Sequence, residues 1–201
     1  MPGSPRASAP RLLLIRHAES VIGRAQRYAG HRDTPLSPRG RAQAARLRAR
    51  IGRFRPDLLV SSDLKRCLET AELAAPGAAI LATERLRELD FGSWDGLSAR
   101  TCRRRDARRF DRWMRDPWST RPPGGESLRQ LWIRVRRYVG SLLRRFPRRT
   151  LAIVTHAGPI RALLAPHPSR FWSVDVPPAA VFAVDRVPAR GRARERRCAA
   201  D

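Results

Sequence analysis

Two histidines in this chain stand directly after short apolar runs. His17 follows residues 12–15 (LLLI) with Arg16 between, and His156 follows residues 151–155 (LAIVT) and precedes Ala157, Gly158 and Pro159. A histidine at the end of a buried strand is exposed in a crevice and can attack an electrophile. An arginine beside it can hold a phosphate through paired, charge-assisted hydrogen bonds. The small residues after His156 leave room for an oxyanion at the start of the next helix. Arg66 falls on the first turn of a predicted helix, where backbone amides favour anions. Glu88 lies in LRELDFGSWDG, a segment rich in glycine and aromatics. A carboxyl partly shielded from water can stay protonated and serve as an acid. Each residue alone has a plainer alternative: a strand-end or turn histidine, an exposed helical arginine, a surface carboxylate paired with arginine.

The elements that must carry these residues alternate between strand and helix. Strands are predicted over 12–15, 57–60 and 78–81, over 151–155, and at an edge over 181–185. Ser37-Pro38 reads as a helix N-cap followed by proline at the first helical position. Ala44, Leu47, Ile51 and Phe54 then share one helical face, and Leu64, Cys67, Leu68, Ala71 and Ala75 form the next apolar stripe. Residues 98–121 are polar and arginine-rich with interspersed aromatics, and predict a helical insert. Ser127 and Gln130 have capping-box spacing ahead of a long helix, and a short helix is expected over 159–165. This order predicts an α/β fold: a three-layer αβα sandwich with a mostly parallel sheet and a helical insert over the active site. Such sheets bind ligands at the carboxyl ends of their strands, where Arg16 and His17, Ser61 and Ser62, and His156 fall.

Taken together, the segments LLLIRHAES, GHRDTPLSPRGRAQA, SSDLKRCLETAELA, LRELDFGSWDG, GGESL and LAIVTHAGPIRALL resemble the histidine phosphatase superfamily, the phosphoglycerate mutase-like proteins. The resemblance implies a phosphoryl-accepting nucleophile at His17 and phosphate binding by Arg16, Arg66 and His156. It implies a general acid at Glu88 and a pocket arginine at Arg27. It implies no metal and no cofactor. The family usually has glycine where this chain has Ala18, and often asparagine near position 23, here Gly23, which removes one polar contact. His31 and His167 match no family role. The compact length favours a phosphatase acting on a small phosphorylated metabolite over a phosphoglycerate mutase. Residues 110–117 followed by 121–127 resemble the α-ribazole phosphatases, which makes α-ribazole phosphate one expected substrate.

The chain has 201 residues, 42% of them hydrophobic, which suits one domain with a sizeable core. The expected organisation is a disordered lead over 1–10, a catalytic domain over 11–187 with its insert at about 98–124, and a basic disordered tail over 188–201. Cys67, Cys102 and Cys198 lack metal-ligand spacing and make no disulfide framework. No apolar stretch is long enough to span a bilayer and the N-terminus lacks a signal-peptide core, so a cytoplasmic location is expected. The net charge of +24 points towards nucleic acid. However, every basic residue but Lys65 is arginine, spread along a chain also rich in Ala and Pro. GC-biased composition together with an anionic substrate accounts for that pattern. The alternatives are mutase-type phosphoryl transfer, a non-catalytic arginine-rich nucleic-acid-binding protein on the same fold, and a phosphohistidine protein phosphatase. Oligomeric state is not legible in the sequence.

Overall fold

The computed structural model describes residues 12–24 and 27–185; the expected lead and tail lie outside the described residues. The chain opens with β1 (Leu12–Arg16) and a turn of helix, α1 (Val21–Arg24). Helices α2 (Pro38–Arg46) and α3 (Arg48–Phe54) lead into β2 (Leu58–Ser62), followed by α4 (Lys65–Ala74) and β3 (Ile80–Thr83). The insert is α5 (Ala99–Arg105) and α6 (Ala107–Arg115). Then come the long helix α7 (Leu128–Arg145), β4 (Leu151–Thr155), α8 (Ala157–Leu164) and β5 (Val181–Val184).

The five strands form one sheet in the order β3-β2-β4-β1-β5. All neighbours are parallel except β1 and β5, so the expected edge strand is an antiparallel one. Side chains alternate across a strand, and here they feed two apolar clusters. Leu12, Leu14, Val60, Leu151 and Ile153 pack with α7 and α8 through Leu131, Val135, Val139, Ile160 and Leu163. Leu13, Ile15, Leu59, Ala152 and Val154 pack on the other face with Leu47, Ile51, Cys67 and Ala71. Burial on both faces is why β1 and β4 read as continuous apolar runs rather than alternating ones.

The capping signals hold in detail. Ser37 Oγ accepts from Gly40 N–H at 3.0 Å and donates to Glu19 Oε1 at 2.6 Å, which ties the start of α2 to the loop after His17. A side chain at position 40 would run into the Glu19 carbonyl, so this close approach requires glycine. Both hydrogen bonds of the Ser127–Gln130 capping box are present. The apolar face read through residues 44–54 belongs to two helices, because Leu47 N–H bonds back to Ala44 O, a tighter turn that divides α2 from α3. The insert is helical, and its Phe110 and Trp113 are buried against Trp94, with Tyr28 and Phe91 packed alongside. Among the described residues no helix is long and apolar enough to cross a membrane.

Candidate active site

Three neighbouring parallel strands deliver the candidate groups to one end of the sheet. Arg16 ends β1 opposite Thr155 of β4, Ser62 ends β2, and His156 caps α8 directly after β4. His17 N–H donates to Thr155 O at 2.8 Å, which holds the two histidines side by side with ring centroids 5.0 Å apart. From α4, Thr70 Oγ1 accepts the Ala18 N–H at 3.1 Å and so fixes the turn after His17.

The ring of His17 is oriented by its own chain. Nδ1 lies 2.7 Å from Ala18 O. A carbonyl only accepts, so Nδ1 carries the proton and Nε2 keeps its lone pair. Burial, and then the charges of Arg66 and Arg16, push the His17 pKa well below the ordinary 6.5. Burial is the larger cause and the two guanidinium charges the smaller. The expectation that His17 faces solvent is corrected: only 7% of the residue is exposed, and it is reached from a pocket rather than from open water.

That pocket has a volume of about 290 Å³ and is lined by Arg16, His17, Arg27, Glu88, Arg161 and Trp172 among others. A second hollow, of about 450 Å³, lies at the amino ends of β2 and β3 and contains none of the candidate groups. Arg16 donates from Nη1 to Val176 O, while its buried Nε has no partner among the described residues. Arg27 is exposed and donates to Gly96 O at 3.0 Å. Arg161 donates to Val174 O at 3.0 Å and lies over the ring of Trp172, 5.3 Å from its centroid.

Arg66 and His156 do not line this pocket. Both have no exposed surface and lie behind its wall, hydrogen-bonded to each other from Arg66 Nε to His156 Nδ1 at 3.3 Å. Nδ1 of His156 is therefore an acceptor, and its Nε2–H faces Ser62 Oγ at 3.0 Å. Burial, followed by the Arg66 charge, holds His156 neutral as well. The remaining donors of Arg66 reach the carbonyls of Arg32 at 2.9 Å, Gly30 at 2.7 Å and Ala29 at 3.3 Å. Asp95 fixes that loop by accepting the N–H groups of Gly30 and Arg32. Cys67 Sγ sits 3.4 Å from His156 Nε2, and burial raises its thiol to about 12.

Glu88 reaches the pocket from the loop before the insert. Its carboxyl accepts from Gly158 N–H, 3.0 Å from Oε1 and 3.2 Å from Oε2, and from Leu89 N–H at 2.9 Å. The group accommodated by the small residues at the start of α8 is thus the Glu88 carboxyl. A Cβ at position 158 would overlap Glu88 Oε1. We expect Gly158→Ala to displace the carboxyl and lower kcat by about 10²-fold, the cost typical of a 1 Å misplacement. The far-UV spectrum should be unchanged. Steady-state kinetics and circular dichroism on the variant check this.

His31 and His167 also have places. His31 Nε2 donates to Glu88 O at 3.1 Å, and His167 caps the 3-10 turn at Pro168–Ser173. His31, Arg134, Arg161 and Trp172 were not singled out in the sequence as parts of the site. Ser62, expected at the carboxyl end of the second strand, is found there at the end of β2.

Comparison with known proteins gives a consistent assignment. A family model described as "Histidine phosphatase superfamily (branch 1)" matches residues 12–198. Phosphoserine phosphatase 1 of Hydrogenobacter thermophilus is 36% identical over 169 residues, which cover 81% of this chain and 80% of that protein. Glucosyl-3-phosphoglycerate phosphatase of Mycobacterium tuberculosis is 33% identical over 177 residues, which cover 78% of this chain and 74% of that protein. The crystal structure of the alpha-ribazole phosphatase of Shigella flexneri superposes with a TM-score of 0.81 at 27% identity, covering 92% of this chain and 96% of that one. Three longer mycobacterial relatives match over 44% of their length.

Proposed function

The chain belongs to the histidine phosphatase superfamily (branch 1) and is a phosphatase, and from that premise we propose that it hydrolyses a small phosphorylated metabolite through a phosphohistidine on His17. The observation that carries this reading is the bare Nε2 of His17, left unprotonated by the Nδ1 bond to Ala18 O and set beside Arg16.

In the first step the Nε2 lone pair attacks phosphorus and the ester P–O bond breaks. The departing oxygen takes the proton of Glu88. In the second step Glu88 takes a proton from water, the hydroxide attacks phosphorus, and the P–N bond returns its electrons to Nε2. Phosphoryl transfer of this kind needs positioning and charge stabilisation above all. Arg16 offers its unpartnered Nε to the phosphoryl oxygens. Arg66 acts from beneath, where its place is fixed by three backbone carbonyls. For His156 to bind phosphate its Nε2–H exchanges Ser62 Oγ for a phosphoryl oxygen. Arg27 holds the outer part of the substrate.

Tyr28, Phe91 and Trp172 on the pocket wall suit a substrate with a flat apolar part, and α-ribazole phosphate is such a compound. Phosphoserine and glucosyl-3-phosphoglycerate, named in the relatives, are the competing substrates. The test is phosphate release over a panel of metabolite phosphates containing all three, run in excess EDTA. Because Arg16 and Arg66 supply the cationic charge from the chain, hydrolysis is expected to persist, with kcat/KM highest for α-ribazole phosphate. Activity lost to EDTA and restored by Mg²⁺ or Zn²⁺ contradicts the mechanism. A higher kcat/KM for phosphoserine or the sugar phosphate contradicts the substrate alone.

A further inference from the structure

Glu88 must hold its carboxyl within proton-transfer distance of a leaving oxygen, yet it sits in a loop between a 3-10 turn and the insert. The hydrogen bonds around that loop converge on one side chain, Arg134 in the second turn of α7. A guanidinium has five N–H donors in a rigid planar fork, and here all of them are engaged. Nη1 donates to Arg85 O at 2.9 Å and Arg87 O at 3.1 Å, and Nη2 donates to Glu88 O at 3.3 Å. Nε and Nη2 together form a two-point pair with the Glu126 carboxylate, Nε at 3.3 Å from Oε2 and Nη2 on Oε1. Glu126 in turn holds the far side of the acid: its Oε1 accepts from Asp90 N–H at 3.2 Å and its own N–H donates to Asp90 O at 2.9 Å. Arg134 and Glu126 thus clamp the backbone on both sides of Glu88, while His31 adds a second donor to Glu88 O.

We propose that Arg134, locked by Glu126, is a positioning residue for Glu88 and sets the efficiency of proton delivery to the leaving oxygen. The proposal rests on the reading of Glu88 as the general acid. Neither residue lines the pocket, so the action passes through the backbone of residues 85–90. Lysine cannot replace the fork: its ammonium is a point charge on a flexible stem and cannot span the carbonyls and the carboxylate at once. A salt bridge that served folding alone would alter stability without regard to the substrate's leaving group. A positioning clamp acts where the proton is needed.

The test is single-turnover phosphorylation of Arg134→Lys with an alkyl phosphate and with p-nitrophenyl phosphate, with Glu88→Gln as reference and thermal melts alongside. The alkyl ester needs its leaving oxygen protonated and the nitrophenyl ester does not. We expect Arg134→Lys to lose about 10²-fold on the alkyl ester, the cost of a misplacement near 1 Å. On the nitrophenyl ester the loss should be under about threefold. Glu126→Gln, which keeps the shape and one acceptor oxygen, should shift the same ratio in the same direction by less; if Arg134→Lys does not fold, this variant carries the test. Equal losses on both esters, or no loss on either, overturn the proposal. If Glu88→Gln itself fails to discriminate the esters, the acid role falls and the proposal with it. If Glu88→Gln discriminates and the clamp variants do not, only the clamp is overturned.

Discussion

Replacing His17 with alanine is expected to lower kcat by at least about 10⁴-fold, the scale seen when a covalent nucleophile is deleted. The reason is geometric. The ring is turned by the Nδ1–Ala18 O bond so that Nε2 is the free atom, and burial keeps that atom unprotonated. Among the described residues nothing else on the pocket wall combines a neutral lone pair with adjacent phosphate-binding cations. Cys67 is close to the same cluster, but its buried thiol is held protonated. Because His17 is buried, alanine also leaves a space and should lower Tm. His17→Asn retains most of the volume and separates the two effects: it is expected to melt near the wild-type temperature and to be as inactive as alanine. Steady-state kinetics and melting curves on both variants check the point. Turnover above about 1% of wild type in either variant would remove His17 from the nucleophile's role.

The second large effect belongs to Glu88. Glu88→Gln keeps the shape and can still accept the Gly158 N–H, but it has no proton to give. General acid catalysis is typically worth about 10²–10⁴-fold, and that is the expected loss on an alkyl phosphate. On p-nitrophenyl phosphate, whose phenolate leaves unaided, the loss in the phosphorylation step should be clearly smaller. The comparison must be made in a single turnover, because Glu88 also takes the proton from water in the second step and so slows steady turnover on both esters. Equal losses in that first step would transfer the role elsewhere. Asp90, the nearest carboxyl in sequence, already accepts from Gly92 N–H, so a transfer to it would require the loop to rearrange.

The parts of this site that were legible in the sequence are those written in local chemistry. Residues 12–15 and 151–155 are buried on both sides of a parallel sheet, so their apolar runs announced the strands that end at Arg16 and His156. Ser37 and Ser127 satisfy helix-end amides through contacts within a few residues, and both caps were readable. What was not readable depends on contacts distant in sequence. That Arg66 and His156 are fully buried and bonded to each other across 90 positions left no mark in the sequence. Arg134 is one arginine in an arginine-rich chain, and only the convergence of carbonyls 85, 87 and 88 distinguishes it. The division of α2 from α3 at Leu47 left no mark because the apolar face runs on through it. The Pro168–Ser173 turn was not anticipated either. It is too short for periodicity, yet it places Trp172, 58% exposed, at the pocket rim.

The claim on which the rest depends is that phosphate passes through His17. It is tested most directly by mixing wild-type enzyme with a ³²P-labelled substrate, quenching in alkali within a few milliseconds, and mapping the label by mass spectrometry. The account predicts a transient, acid-labile phosphoryl group on Nε2 of His17, formed before the first phosphate is released. It should be absent from His17→Asn and unaffected by EDTA. Release of phosphate with no labelled enzyme at any time, or a label on another residue, would contradict it.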